Sequence, residues 1–141
     1  MAFTGNYSCN SLRTGLVNGT INFATGVFKL ALYTNTATLD ASTAAYTSNG
    51  EATGGNYVAG GQVVTATIGT AATSSGSTTY INFSSPSWTG SINARGALIY
   101  QSGNGNPAVC VLDFGSNKTS STTFTVQMPE NTASSALIRL V

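Results

Sequence analysis

The sequence predicts an all-β fold, an antiparallel β-sandwich or jelly roll of about seven or eight strands with one short N-terminal helix. Apolar and polar side chains alternate in Val27–Tyr33, and short runs of β-branched and aromatic residues recur along the chain. Clusters of Gly, Ser, Asn and Pro separate these runs, as is typical of turns. Helical patterns long enough to connect parallel strands are missing, which favours antiparallel sheets.

The first predicted element is the helix, over residues 8–18. Leu12 and Leu16 stand four positions apart there, which places them on one helical face. A Ser or Asn before the helix and Gly19 after it are typical of the two helix ends. Gly15 weakens the pattern, but the period differs from that of everything downstream.

The predicted strands follow the helix at fairly even spacing. They cover residues 27–33, 62–68, 79–83, 96–100, 109–114, 123–128 and 136–141, with a further candidate at residues 20–23. Residues 35–59 lack a strand pattern, and loops of that length are uncommon in compact domains. We expect this loop either to fold over one end of the sandwich or to contact a partner.

Length predicts one domain covering residues 1–141, because a chain of this size buries enough apolar surface to fold alone. Residues 1–7 form either an arm that reaches a neighbouring subunit or a disordered end. The sequence has no apolar run of membrane-spanning length and no secretory signal pattern, so we expect synthesis in the cytoplasm and no membrane partner. Cys9 and Cys110 are expected to be buried free thiols, with a disulfide as the alternative.

Composition argues against catalysis. Histidine is absent, which excludes catalytic triads and Cys/His pairs. The four acidic residues are spread along the chain, which disfavours a glycosidase pair or a metal site. The five basic residues are scattered and the net charge is +1, so nucleic acid is not an expected partner. We expect no enzyme, no catalytic residue, no cofactor and no bound metal.

The surface must be covered by hydroxyl, amide and glycine groups, because only 6% of the residues are charged, against about 25% in ordinary domains. Such a surface gives little repulsion between copies, which suits a homo-oligomer or another assembly. By position alone, the candidate partner-contact residues are Phe3 and Tyr7 in the arm and Tyr46 and Tyr57 in the long loop. Exposed tyrosines also allow a glycan-binding platform, although aromatic residues of strands are more often core.

Several segments occur in a characteristic order after the helix. They read FKLALYT at 28–34, YTSNGE at 46–51, YVAGG at 57–61, ARGALIY at 94–100 and AVCVLDFG at 108–115. This order resembles a group of small virion structural proteins of tailed bacteriophages and prophages, similar to capsid cement or decoration proteins. The resemblance covers nearly the whole chain and rests on strand and turn patterns.

The resemblance implies a β-sandwich that binds the outside of an icosahedral head in many copies. Its partner would be the major capsid protein, its location the capsid surface of the virion, and its effect the stabilisation of the head. Similar sequences are also described as tail or fibre proteins, so a tail-tube, head–tail connector or fibre component is one alternative, and a carbohydrate-binding module is another. The absence of sequence repeats and heptads disfavours a fibre.

Overall fold

The predicted all-β class is confirmed, since antiparallel sheets and one short helix make up the fold. The structure is a computed structural model that describes residues 3–73 and 76–140. The helix of this part of the chain is α1 (Asn10–Asn18). The strands are β1 (Tyr7–Ser8), β2 (Val27–Tyr33), β3 (Gln62–Val64), β4 (Ala66–Thr73), β5 (Gly76–Phe83), β6 (Ser87–Thr89), β7 (Asn93–Ser102), β8 (Ala108–Thr119), β9 (Thr123–Thr125) and β10 (Ile138–Leu140).

Helix α1 starts later than predicted and ends where predicted. Its N-cap is Cys9, which makes no side-chain capping bond, rather than the expected Ser or Asn. Gly19 closes the helix in the left-handed conformation, with φ at 80°. Gly15 allows the chain to turn back, because a Cβ there would lie 2.7 Å from the side chain of Ile21. With nine residues α1 cannot cross a membrane, and the described residues contain no longer apolar helix that could.

The strands form a sandwich-like arrangement of three antiparallel sheets. The largest sheet has the order β1-β8-β7-β2-β3, the second β10-β5-β4, and the third pairs β6 with β9. At the centre, β2 pairs with β7 along its whole length, from Val27 opposite Ser102 to Tyr33 opposite Gly96. The chain passes from the largest sheet to the second at Thr65, between β3 and β4.

The five-stranded sheet is buried on both faces. Phe28, Leu30 and Leu32 of β2 enter a core shared with Ile81 and Phe83 of the three-stranded sheet. Ala31 and Tyr33 of β2 belong to a second core on the opposite face. That second core consists of Phe3, Cys9, Ala31, Tyr33, Ala37, Leu39, Leu98, Tyr100, Ala108 and Val111. The arm and the loop after β2 therefore cover the face that the three-stranded sheet leaves open.

Short elements account for most differences from the sequence prediction. Residues 20–23 form no strand, the predicted strand 62–68 is divided into β3 and β4, and the strand predicted over 123–128 ends at Thr125. Strands β1 and β6 were not predicted, because two or three residues show at most one alternation. Val141, at the end of the last predicted strand, lies outside the described residues.

Candidate docking site

Phe3, a predicted partner-contact residue, is buried in its own chain. Its side chain is 3% exposed and packs against Gly96 of β7. The guanidinium of Arg95 lies 5.7 Å from the centre of the ring. A side chain at Gly96 would occupy the space of the ring, so the glycine makes room for the arm. Met1 and Ala2 of the predicted arm lie outside the described residues.

Tyr46 and Tyr57, the predicted contact residues of the loop, converge on Glu51. The Tyr46 hydroxyl donates to Glu51 Oε1 at 2.7 Å, and the Tyr57 hydroxyl donates to Oε2 at 2.5 Å. The backbone N–H of Gly60 also donates to Oε2, at 2.7 Å. The Tyr57 oxygen in turn accepts from the backbone N–H of Leu32, at 3.0 Å. Both carboxylate oxygens are therefore used inside the chain.

Two strand tyrosines complete this arrangement, which we call the Glu51 cluster (Tyr33, Tyr46, Glu51, Tyr57 and Tyr100). Tyr33 donates its hydroxyl to the carbonyl oxygen of Thr47 at 2.6 Å, and Tyr100 donates to that of Gly60 at 2.6 Å. The rings of Tyr46 and Tyr100 stack with centroids 4.8 Å apart. The cluster thus fastens the loop after β2 to the second face of the five-stranded sheet.

The electrostatics of the Glu51 cluster keep its phenols neutral. Burial, and next the hydrogen bond to Glu51, raise the pKa values of Tyr46 and Tyr57 well above the ordinary 10.0. Burial also raises the pKa of Tyr33, with the Glu51 charge as the second cause. A phenol that keeps its proton remains a donor, so three N–H and O–H groups compensate the carboxylate. Contact of Tyr46 or Tyr57 with another protein stays a prediction.

Tyr7, the fourth predicted contact residue, lines an open groove of about 680 Å³ where α1, β1, β8 and β10 meet. The apolar part of its lining is contributed by Leu12, Leu16, Cys110, Val111, Leu112, Leu137, Ile138 and Leu140. Leu16 and Leu140 are 37% and 47% exposed. The two outermost strands β1 and β10 belong to different sheets and flank the same groove. We call this feature the β1/β10 groove.

The charge of the β1/β10 groove is positive. Arg13 and Arg139, two of the five basic residues of the chain, line it, and the described residues of its lining include no Asp or Glu. Arg13 donates to Ser8 Oγ at 2.9 Å and to Asn10 Oδ1 at 3.0 Å, and Arg139 donates to the carbonyl oxygen of Ser134 at 2.9 Å. A guanidinium has five N–H donors, so donors remain for a carboxylate. The groove thus offers both an apolar contact surface and guanidinium donors for a carboxylate.

The acidic residues of the described chain do not converge on one another. Asp113 forms an ion pair with Arg95, and Glu51 is bound by tyrosines. Asp40 accepts from the Ser42 hydroxyl at 2.6 Å, and this bond lowers the pKa of the Asp40 carboxyl. Residues 3–73 and 76–140 contain no group of three His, Cys, Asp or Glu side chains suited to a metal ion.

Cys9 and Cys110 are buried free thiols, the first of the two states expected from the sequence. Burial raises the pKa of Cys9 to about 11, with the Asp40 charge as the second cause. Burial raises the pKa of Cys110 further. Because the thiolate is the reactive form, both sulfurs are poor nucleophiles at neutral pH.

Sequence reasoning named Tyr7, Tyr46 and Tyr57 but missed the residues that surround them. Glu51 is the single acid between Asp40 and Asp113, and a lone carboxylate flanked by tyrosines was an available signal for the Glu51 cluster. The β1/β10 groove had no comparable signal, because its two arginines come from opposite ends of the chain.

Comparison with known proteins finds no relative, since no protein-family model, curated protein or solved structure matches this chain.

Proposed function

We propose that this chain is a structural subunit of a tailed-bacteriophage particle, a cement or decoration protein that binds the outside of the head in many copies. It would be made in the host cytoplasm, act without catalysis, and stabilise the head by bridging major capsid protein subunits. The observation that carries the proposal is the β1/β10 groove, an open groove lined by apolar side chains and by two of the five basic residues of a chain with few charges.

The lining of the groove fits a protein segment better than a small polar ligand. Arginine and aromatic side chains are enriched at protein interfaces, and the groove combines Arg13, Arg139 and Tyr7 with the exposed side chains of Leu16 and Leu140. Arg13 and Arg139 select for carboxylates beside the apolar contact. The partner segment that we propose on the capsid protein therefore presents an apolar side chain flanked by Asp or Glu.

Two further properties suit binding in many copies. A chain with 6% charged residues permits close neighbours without strong repulsion. The Glu51 cluster fixes the longest loop against the sheet, so little conformational freedom is lost on docking. Repetition over a shell then adds avidity to individually modest contacts.

The first test is the copy number of this chain in purified phage particles from the strain that encodes it. Quantitative mass spectrometry gives the ratio to the major capsid protein. A ratio near one, or a simple fraction of it, supports the decoration role. A trace ratio assigns the chain instead to the tail, the connector or a fibre, and absence from the particles overturns the virion proposal.

The second test examines the groove. We expect Arg13→Glu with Arg139→Glu to weaken binding to heads that lack this chain by roughly tenfold to a hundredfold, because a hydrogen bond to a charged group contributes about 1.5–3 kcal/mol. Lys118→Glu is the matched control, since Lys118 is exposed and lies outside the groove lining. A cosedimentation assay measures both. Equal binding of the double variant and the control would exclude the groove as the docking site.

A further inference from the structure

One long segment of the chain carries no charge. The sequence has no Lys, Arg, Asp or Glu between Glu51 and Arg95, and this segment builds β3, β4, β5 and β6. Strand β3 is the last strand of the five-stranded sheet, and β4 is the last strand of the three-stranded sheet. Since β1 and β10 at the other ends of these sheets flank the groove, β3 and β4 form the opposite edge of the sandwich.

Strand β4 is a long and regular edge. Its eight residues pair with β5 without a register shift, from Ala66 opposite Phe83 to Thr73 opposite Gly76. Its other side has no strand partner in the described part of the chain, so alternate backbone N–H and C=O groups point outward. Natural edge strands are usually protected by charge, proline, a bulge or short length. The sequence ATIGTAAT and the unbroken register provide none of these protections.

Exposed β-branched side chains accompany this edge. Ile68 of β4 is 48% exposed, and Val63 of the neighbouring edge strand β3 is 55% exposed. Such side chains favour strand pairing. An uncharged edge is also compatible with an identical edge, because self-pairing brings no like charges together.

We propose that β4 pairs with β4 of a second copy, antiparallel and about a two-fold axis. The two three-stranded sheets then form one continuous six-stranded sheet, and the β1/β10 grooves face away from the interface at the two ends of the dimer. This dimer does not depend on the proposed function, because it forms from the isolated chain.

Geometry limits the register of this pairing. In antiparallel strands, two residues directly opposite each other turn their N–H and C=O groups either both toward the partner strand or both away from it. Only alternate residues of β4 turn these groups toward the second copy, so two opposite residues must be an even number of positions apart in the sequence. A two-fold axis therefore passes through one residue of β4 and not between two residues. With the largest overlap, that residue is Gly69 or Thr70, and Thr70 then lies opposite Ile68 or opposite Thr70 of the second copy.

The test is the dimer dissociation constant measured by sedimentation velocity over a concentration series. We expect the wild-type chain to dimerise and Thr70→Lys to raise the dissociation constant at least tenfold, since both registers bring the two lysines close together across a desolvated edge. Thr70 is exposed, and its hydroxyl lies 3.4 Å from the Thr79 hydroxyl, so the variant should keep its fold.

Thr123→Lys is the matched control, because Thr123 is an exposed strand threonine on β9, away from β4. We expect it to dimerise as the wild-type chain does. A second measurement is amide hydrogen exchange of the wild-type chain, in which alternate amides of β4 gain protection as concentration rises. A wild-type chain that stays monomeric, a dimer indifferent to Thr70→Lys, or β4 amides without concentration-dependent protection overturns the proposal. None of these outcomes changes the copy number in particles, so the two proposals fail separately.

Discussion

At Glu51, two phenol hydroxyls and one backbone N–H take the place that a basic residue or water usually occupies beside a carboxylate. Hydrogen bonds from neutral donors compensate a partly buried charge when the donors are held in position. Tyr57 is held by the backbone N–H of Leu32, and Tyr46 by its stacking on Tyr100. The three donors in turn depend on this one acceptor.

We expect Glu51→Ala to lower the free energy of unfolding by about 2–4 kcal/mol, because it leaves three donors of the loop without an acceptor. Glu51→Gln should cost less, about 1 kcal/mol, since the amide oxygen still accepts and the Tyr46 hydroxyl can turn to accept from the amide nitrogen. Urea denaturation followed by circular dichroism measures both. Equal losses for the two variants would show that the cluster does not depend on its acceptor.

Tyr46 and Tyr57 could be singled out from the sequence as candidate contact residues, but their hydrogen bonds to Glu51 could not be predicted. Their position in a long loop suggested contact with a partner, and their rings gave no indication of direction. The hydroxyls meet at Glu51 because the loop folds back over β2, a path set by the second core rather than by any local pattern. Tyr7 lines the groove, yet its position alone could not reveal the arginines beside it.

At the scale of elements, the N-terminal arm is part of the fold. Strand β1 extends the five-stranded sheet by pairing Tyr7 with Val111 and Ser8 with Cys110. Phe3, four residues earlier, closes the second core over Gly96. The arm therefore covers an apolar surface that the rest of the described chain leaves open.

Phe3→Ala should lower the free energy of unfolding by about 3 kcal/mol, the low end for removal of a buried phenylalanine. Thr4→Ala is the control from the same arm, because Thr4 is exposed and its hydroxyl forms a hydrogen bond with the Tyr7 hydroxyl at 2.6 Å. We expect a change below about 0.5 kcal/mol for the control. Thermal and urea unfolding provide the measurement, and a Phe3→Ala variant as stable as the control would place the ring outside the core in solution.

Strands with a long alternating pattern could be predicted from the sequence. Short strands that form only because they pair with another strand could not. Strand β2 was predicted with its observed bounds because seven residues carry a clear period. Residues 20–23 look like a strand but form none, since Ile21 packs against Gly15 and the chain turns there. Strand β6 was not predicted, because its three residues form a strand through their pairing with β9, which no sequence period reports.

At the scale of the whole molecule, the five-stranded sheet is a layer shared by two cores. One core lies between it and the three-stranded sheet, and the other lies under the arm and the loop. Neighbouring residues of β2 and β7 point into different cores, so damage to either core disturbs the same strands. Loss of the second core should therefore lead to cooperative unfolding of the whole domain.

Because the two cores share strands, we expect alkaline pH to destabilise the whole domain. Burial is the main cause that raises the pKa of Tyr33, Tyr46, Tyr57 and Tyr100 above the ordinary 10.0. Above pH 10 the unfolded chain loses these protons while the folded chain keeps them, so the free energy of unfolding falls as the pH rises. We expect the four phenols to ionise together with unfolding, in one steep step of tyrosinate absorbance and circular dichroism. Gradual ionisation of all tyrosines with an intact circular dichroism signal would contradict this coupling.

Both outermost strands at the groove are also the first and last strands of the described chain. A polypeptide joined after β10 therefore begins close to Arg139, a lining residue of the groove. An affinity tag or fluorescent reporter at the C-terminal end would compete with whatever docks in the groove, and one at the N-terminal end would precede Phe3, whose side chain is part of the second core. Binding experiments consequently need an untagged chain or a label placed within an internal connection.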